Sequence, residues 1–161
     1  MADYIKNADT QAKTTYPIVF RTMKVYHEQE TVKPHVMPFH QLLLVLDGKG
    51  TLYCNGRTYS IKKGCAFLTA QGAEVGYTND GGLISAFLTA KGIAADVLAQ
   101  SFLQDGLLLI ENSDLEKYVA LIADLAANYK AGSDQGNLSA MTYSVFVDFL
   151  FIVIFLFVVF L

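Results

Sequence analysis

The sequence has only two cysteines in 161 residues, and no secretory signal stands at its start. Cys54 and Cys65 lack the paired spacing of a zinc site, and both fall in segments that we expect to be β-strands. Free buried cysteines are commonly small apolar side chains, so a disulfide or redox role is the minor alternative. These absences predict a reduced, cytoplasmic protein.

An excess of positive charge is also lacking. Twelve Lys and Arg against fifteen Asp and Glu give a net charge of −3, with a pI near 5.5. No block of basic residues with interleaved aromatics marks a nucleic-acid surface. The chain itself is therefore not expected to bind DNA specifically, and its length suits one domain with a real core.

The first half of the chain carries the patterns of a β-rich domain. Residues 51–54 and 57–61 are β-prone runs separated by Asn55-Gly56, a pair that accepts the positive φ angles of a type I′ turn. Residues 16–26 and 83–90 are also rich in β-branched and aromatic side chains. Several short strands at near-regular spacing predict a sandwich or barrel over residues 16–92.

After Gly92 the apolar period changes from two to about 3.6, which predicts helices over residues 93–148. Residues 93–102 form a short candidate helix, and a third apolar segment begins near Leu138. Between them, Ser113 and Glu116 have capping-box spacing. They precede an apolar stripe that is either a homodimer surface or the face packed on the barrel. The residues assigned to dimerisation are Leu115, Tyr118, Ile122, Leu125 and Tyr129.

The two ends differ from the rest. Residues 1–15 are polar and predict a flexible arm. Residues 149–161 are apolar without interruption, which indicates a tail that is buried, artificial or inserted in a membrane. Because this tail shows no single apolar stripe, its removal is expected to leave the barrel folded.

Residues 35–79 contain two glycine-spaced motifs that resemble those of cupins, in which three His and one Glu hold a metal inside a double-stranded β-helix jelly roll. The second motif, G-x5-P-x-G-x2-H-x3-N, matches Gly64, Gly72 and Asn79, with Ala70 replacing Pro and Val75 replacing His. The first motif, anchored on Gly48, places Gln41 at the Glu position. It places His35 and Met37 at the two His positions. The resemblance thus implies the barrel without the metal, and no cofactor is expected.

The same stretch resembles the N-terminal effector-binding and dimerisation domain of AraC-type transcription regulators. The matching positions are His35, Phe39, Gln41, Leu42, Val45, Leu46, Gly48, Gly50, Leu52, Gly56, Tyr59, Ile61, Gly64, Phe67 and Leu68. The resemblance covers roughly residues 17–148. It implies a cupin jelly roll followed by C-terminal helices, hence a mostly β (α+β) fold. It also implies a homodimer, and DNA contact only through a helix-turn-helix domain absent from this chain.

The ligand-bearing position of the motif falls on Gln41. Strand alternation then directs Gln41, Leu43 and Val45 into the barrel, whereas His40, one residue earlier, points to the opposite face. The aromatic residues of the predicted site either stack on an effector or fill the core. The full ligand-binding set is His35, Met37, Gln41, Leu43, Val45, Tyr53, Val75, Tyr77 and Phe87.

The leading hypothesis is a module that binds a small effector, either a sugar or a small aromatic acid, in the barrel. A second hypothesis is a metal-dependent cupin isomerase or dioxygenase. The absent ligands disfavour it, so no catalytic or metal-binding residue is assigned. A third hypothesis is a membrane-tethered cupin sensor, which depends on residues 149–161.

Overall fold

The computed structural model describes residues 4–7, 16–111 and 114–160. The elements are β1 (Ile5–Lys6), β2 (Val19–Glu28), β3 (Val32–Val36), β4 (His40–Cys54), β5 (Arg57–Lys62), β6 (Ala66–Thr69), β7 (Glu74–Lys91), α1 (Ile93–Phe102), β8 (Leu107–Ile110), α2 (Glu116–Lys130) and α3 (Gln135–Phe160). These strands pair antiparallel in the order β1-β2-β7-β4-β6-β8, with β3 also pairing β7 and β5 also pairing β4. The predicted mostly β fold with C-terminal helices is confirmed.

Two long strands, β4 and β7, join the halves of the barrel. The start of β4 lies between β6 and β7, and its end lies between β5 and β7. The β4–β7 register shifts between Val45 and Gly50, where the strand bends. Gly48 has a φ of 74°, and a Cβ atom there would lie 2.1 Å from the carbonyl oxygen of Gly82. The close approach of the two backbones at the bend therefore requires glycine.

The turn between β4 and β5 has the predicted type. Asn55 and Gly56 have φ angles of 47° and 85°, and Cys54 pairs directly with Arg57 across the turn. Positive φ at both central residues defines the type I′ hairpin. The sequence pair Asn-Gly thus sets the register of β4 against β5.

Alternation along β4 separates two apolar clusters. Leu42 and Leu44 belong to the outer core, which the helices cover, whereas Leu43 and Val45 face the barrel lumen, as predicted. The outer core also holds Tyr118, Ile122, Leu125, Phe146 and Phe149 of the helices. The lumen cluster comprises Met37, Leu43, Val45, Leu52, Cys54, Ile61, Cys65, Phe67, Ala73, Val75, Tyr77, Leu83 and Leu107.

Two local predictions differ from the structure. Residues 5–6 of the expected flexible arm form β1, and Ile5 is buried in the outer core; residues 1–3 and 8–15 lie outside the described residues. Strand β8 was not predicted, because Leu-Leu-Leu-Ile is a continuous apolar run without a period. The predicted cap Ser113 also lies outside the described residues. The Glu116 amide instead donates to Asp114 Oδ1 at 3.1 Å.

The C-terminal apolar segment belongs to α3, and its burial changes along the helix. Phe149 and Leu150 are 1% and 2% exposed within the outer core, whereas Phe151 and Phe155 are 60% and 65% exposed. The first two residues of the predicted tail therefore belong to the core, and the effect of removing residues 149–161 stays a prediction. Among the described residues, no helix has the combination of length and hydropathy needed to span a membrane.

Candidate ligand-binding site

Four polar side chains form a row across the lumen face of the sheet. Thr22 of β2 pairs with Thr89 of β7, Thr89 pairs with Gln41 of β4, and Gln41 pairs with Thr69 of β6. Directly paired residues point to the same side of a sheet. All four are buried, at 8%, 4%, 8% and 0% exposed. We call Thr22, Thr89, Gln41 and Thr69 the polar row.

Hydrogen bonds satisfy much of this row. The hydroxyls of Thr22 and Thr89 lie 2.6 Å apart, and the Thr22 amide donates to Thr89 Oγ1 at 2.9 Å. Tyr77, which pairs with Leu52 at the other end of β4, donates its hydroxyl hydrogen to Gln41 Oε1. Burial raises the pKa of Tyr77 above its usual value, with a further increase from Cys54 and a smaller opposing effect from Gln41. The phenol therefore stays protonated and serves as a donor at neutral pH.

The hydroxyl of Thr69 is different, because it is fully buried and has no hydrogen-bond partner among the described residues. Leaving a buried hydroxyl unpaired costs about 1–3 kcal/mol of stability. Buried polar groups are normally satisfied, so a side chain that carries this cost at the lumen wall is a candidate contact for a bound molecule.

Thr69→Val is expected to stabilise the ligand-free chain by up to about 1–3 kcal/mol, because valine keeps the shape and removes the unpaired hydroxyl. Thr89→Val is the matched control on the same row. Its hydroxyl is bonded to Thr22, so its loss is expected to destabilise by about 1 kcal/mol. Urea unfolding of both variants measures the difference. Equal destabilisation by the two substitutions would show that Thr69 has a partner in solution.

The lumen brings together most of the ligand-binding residues predicted from the sequence. Phe87 is half-buried at the edge of the lumen cluster, where its ring meets that of His27 edge-on at 5.3 Å. Burial and the nearby Lys24 lower the pKa of His27. The predicted residues buried in the lumen are Met37, Gln41, Leu43, Val45, Val75 and Tyr77.

Two residues of the predicted set lie elsewhere. His35 pairs with Val75, but its imidazole is exposed and its Nδ1 atom lies 3.1 Å from the Lys33 carbonyl oxygen. Tyr53 is half-buried and lies on the opposite face of β4 from Leu52 and Cys54, which belong to the lumen cluster. A molecule bound in the lumen would therefore reach neither side chain directly.

The residues at the cupin metal positions do not suit a metal. His35 points to solvent, Met37 is a buried thioether, Val75 has no donor atom, and Gln41 is a neutral amide that already accepts from Tyr77. First-row metals in cupin-like cages need imidazole and carboxylate donors. Within residues 4–7, 16–111 and 114–160, no three His, Cys, Asp or Glu side chains group as a ligand set.

Both cysteines are free thiols in the lumen cluster. Burial raises the pKa of Cys54, and the Asp105 carboxylate adds to that increase. Because the thiolate is the reactive form, this environment makes Cys54 a poor nucleophile. The interpretation of the cysteines as small apolar side chains is consistent with this geometry.

His40 lies on the face opposite Gln41, as strand alternation predicts. Its Nε2 atom is 2.7 Å from Asp96 Oδ1 of α1, and its Nδ1 atom accepts from the Gln71 amide at 3.0 Å. The Gln71 donor leaves the imidazole proton on Nε2, where it is donated to Asp96. The pair lines a cleft of about 480 Å³ outside the barrel and anchors α1 to the start of β4.

The stripe on α2 lies against the barrel within one chain. Leu115, Tyr118, Ile122 and Leu125 are at most 6% exposed, and Tyr129 meets the Phe20 ring edge-on at 5.3 Å. Tyr129 also donates its hydroxyl hydrogen to the Lys6 carbonyl at 3.1 Å. The burial of Leu115, Tyr118, Ile122 and Leu125 within one chain favours the alternative in which this stripe packs on the barrel, whereas Tyr129 is half-buried. Homodimerisation itself stays a prediction.

Sequence reasoning missed Thr22, Thr69 and Thr89. Threonine is common in strands and gives no signal of its own. The signal that identifies them is the register, because the three residues flank Gln41 only after β2, β7, β4 and β6 pair.

Comparison with known proteins identifies the family. The model of the AraC-like ligand-binding domain matches residues 17–137, which is most of the chain. The chain belongs to this family. Its cupin barrel is therefore the ligand-binding domain of the AraC type, and the described residues 16–111 contain all of the barrel except β1.

The similarity to one solved structure, that of ToxT, supports the fold. Apo ToxT from Vibrio cholerae is similar over 81% of this chain and 54% of that one, at 14% identity and a TM-score of 0.52. YhaK from Escherichia coli is similar over 69% and 51%, at 15% identity and a TM-score of 0.48. An RmlC-like cupin with a double-stranded β-helix fold from Methanocaldococcus jannaschii is similar over 61% and 85%, at 15% identity and 0.41. The chain thus spans about half the length of ToxT. A comparison with curated protein sequences found no match.

Proposed function

We propose that this chain is the effector-sensing domain of a transcription regulator, and that it binds a small molecule in the lumen beside the polar row. The observation that carries the proposal is the buried Thr69 hydroxyl, which has no partner among the described residues although it stands next to Gln41 in an apolar lumen. Ligand pockets combine mostly apolar walls with a few polar groups that fix orientation. The polar row and Tyr77 supply such groups.

Strand β1 offers a route from the lumen to the helices. Lys6 of β1 pairs with Thr22 of the polar row, and the Lys6 carbonyl accepts from Tyr129 of α2. Asn7 donates to Gln135 Oε1 of α3 at 3.0 Å. An effector that shifts Thr22 would therefore alter how the helices pack, provided that it binds one arrangement more tightly than the other. In the proposal, those helices pass the change to a second copy and to an attached DNA-binding domain.

The enzyme hypothesis has less support. Among the described residues, no three His, Cys, Asp or Glu side chains group as a metal cage. His40 is held outside the lumen by Asp96 and Gln71, and His27 reaches only the lumen edge, where its ring meets Phe87. A lone imidazole without a metal or a paired acid gives little support to catalysis. Binding without turnover is the function that these side chains favour.

Thermal shift assays on the purified chain with a panel of sugars and small aromatic acids test the proposal. A ligand is expected to raise the Tm of the wild type and to lose this effect in Gln41→Leu and Tyr77→Phe. Tyr53→Phe, on the opposite face of β4, is the matched control and should keep it. A ligand whose effect survives both lumen substitutions would contradict a site beside Gln41.

A further inference from the structure

The turn between α1 and β8 lies between the lumen and the cleft that His40 lines outside the barrel. Ala70 and Gly106 belong to the wall of this cleft, whose volume is about 480 Å³. Ala70 directly follows Thr69, Gly106 directly precedes Leu107, and Thr69 pairs with Leu107 inside the barrel. The Ala70 amide donates to the Gly106 carbonyl oxygen at 2.9 Å. The contact between Ala70 and Gly106 is therefore a thin wall between the cleft and the unpaired Thr69 hydroxyl.

This turn is a tight two-residue reversal that rests on the β4–β5 hairpin. Asp105 and Gly106 have φ angles of 51° and 79°, and Gln104 and Leu107 exchange both backbone hydrogen bonds across them, at 3.1 and 3.0 Å. A Cβ atom at Gly106 would lie 2.9 Å from Asn55 Nδ2. Glycine is thus required both for the backbone angle and for the close approach to the hairpin.

Three exposed side chains fasten the turn to the hairpin. Asn55 donates from Nδ2 to the Asp105 carbonyl oxygen at 2.8 Å, and Arg57 Nη1 lies 3.9 Å from Asp105 Oδ2. The Arg57 and Asp105 side chains are 71% and 77% exposed, so water competes for these contacts and the ion pair adds little stability. We call Asn55, Arg57 and Asp105 the latch. Its contacts hold the turn closed at an energy that thermal motion can overcome locally.

The latch covers one of the two free thiols of the lumen. Cys54 is 3% exposed and directly precedes Asn55. Burial and, after it, the nearby Asp105 carboxylate raise the pKa of Cys54, which agrees with a turn that lies close to this thiol. Movement of the turn away from the hairpin would therefore expose Cys54 to the solvent.

We propose that the Asp105-Gly106 turn is a gate, held closed by the latch, whose opening joins the outer cleft to the lumen at Thr69. The lumen is filled by its own side chains, so a molecule that reaches Thr69 must cross a wall that opens locally. The cleft would hold that molecule next to the wall before it enters. What passes through the gate rests on the proposed function, whereas the opening itself is a property of the ligand-free chain.

Iodoacetamide labelling of the full chain, with one thiol retained at a time, tests the gate. Cys65→Ala leaves Cys54 as the reporter beneath the turn. Cys54→Ala leaves Cys65, which lies at the other end of β6 from Thr69 and accepts from the Lys62 amide. The reagent reacts with the thiolate, so a buried thiol is labelled only when its cover opens.

Asn55→Gly is the variant that opens the latch without disturbing the hairpin. Glycine accepts the φ of 47° at this position, and the substitution leaves the Asp105 charge beside Cys54 in place. Removing the hydrogen bond to the turn is expected to speed Cys54 labelling about fivefold and to change Cys65 labelling by less than about twofold. Thr51→Val is the matched control. It removes an exposed hydrogen bond of the same length, to Asp80 at 2.8 Å, and should leave Cys54 labelling unchanged.

Hydrogen exchange measured by mass spectrometry gives a second reading that uses no thiol. The Leu107 amide donates to the Gln104 carbonyl across the turn. Asn55→Gly should therefore speed exchange in residues 103–108 and leave residues 41–45 of β4 unchanged. The Tm of each variant checks that it is folded.

The outcomes separate the gate from the proposed function. Cys54 labelling that is unchanged by Asn55→Gly overturns the gate, because the latch then does not control access. Equal acceleration at Cys54 and Cys65 also overturns it, because the opening then involves the whole barrel. Either result leaves the lumen sensor intact, since its test with Gln41→Leu and Tyr77→Phe does not depend on the route of entry. A chain that opens as expected but binds no ligand contradicts the sensor and keeps the gate.

Discussion

Replacing Ile122 and Leu125 together by glutamate is expected to unfold the chain. Both side chains are fully buried between α2 and the outer face of the barrel. Losing each large apolar group costs about 2–5 kcal/mol, and burying an unpaired carboxylate adds several more. The sum is comparable to the whole stability of a typical domain, which is about 5–15 kcal/mol. Circular dichroism and thermal melting measure the loss.

Ala120→Glu with Ala123→Glu is the matched control, because both alanines are exposed on the same helix. That variant should melt within a few degrees of the wild type, since surface substitutions usually change stability by about 0.5 kcal/mol or less. If Ile122→Glu with Leu125→Glu gave instead a folded monomer from a dimeric wild type, the stripe would be an intermolecular surface.

The amphipathic pattern of α2 predicts a helix with one buried face, but it does not predict which surface covers that face. The period of Tyr118, Ile122 and Leu125 predicts the helix and its buried face correctly. It carries no information about whether that face meets its own barrel or another chain, because both surfaces are apolar. Only the tertiary arrangement, with Tyr118 meeting Phe149 edge-on at 5.8 Å, assigns the face to the same chain.

The predictions for the barrel succeeded where local chemistry controls structure. Asn55-Gly56 determines a turn through backbone φ angles, and alternation from Gln41 separates lumen from outer core. The prediction failed for the four-residue β8, whose pairing with β6 is a long-range contact without a local pattern. The motif position of Gln41 identifies the lumen, but only the register reveals Thr69 beside it.

The apolar end of α3 gives the other large expected effect, because two phenylalanines on one helix differ in burial. Phe149 is 1% exposed and packs against Tyr118, whereas Phe155 is 65% exposed. Phe149→Ala is expected to destabilise the chain by about 3–5 kcal/mol through lost apolar burial and the cavity that remains. Phe155→Ala should change stability by no more than about 0.5 kcal/mol and should reduce self-association by removing exposed apolar surface.

Truncations test the same boundary without relying on one side chain. A chain ending at Leu150 keeps Phe149 and Leu150 in the outer core and should melt cooperatively near the wild-type temperature. A chain ending at Asp148 loses both and should show a much lower Tm. Half-buried Ile152 also packs against the outer core. The chain ending at Leu150 lacks this side chain, so a small loss of stability is expected even there. Equal melting of the two truncated chains would mean that Phe149 and Leu150 contribute nothing to the core, because only these residues distinguish the two variants.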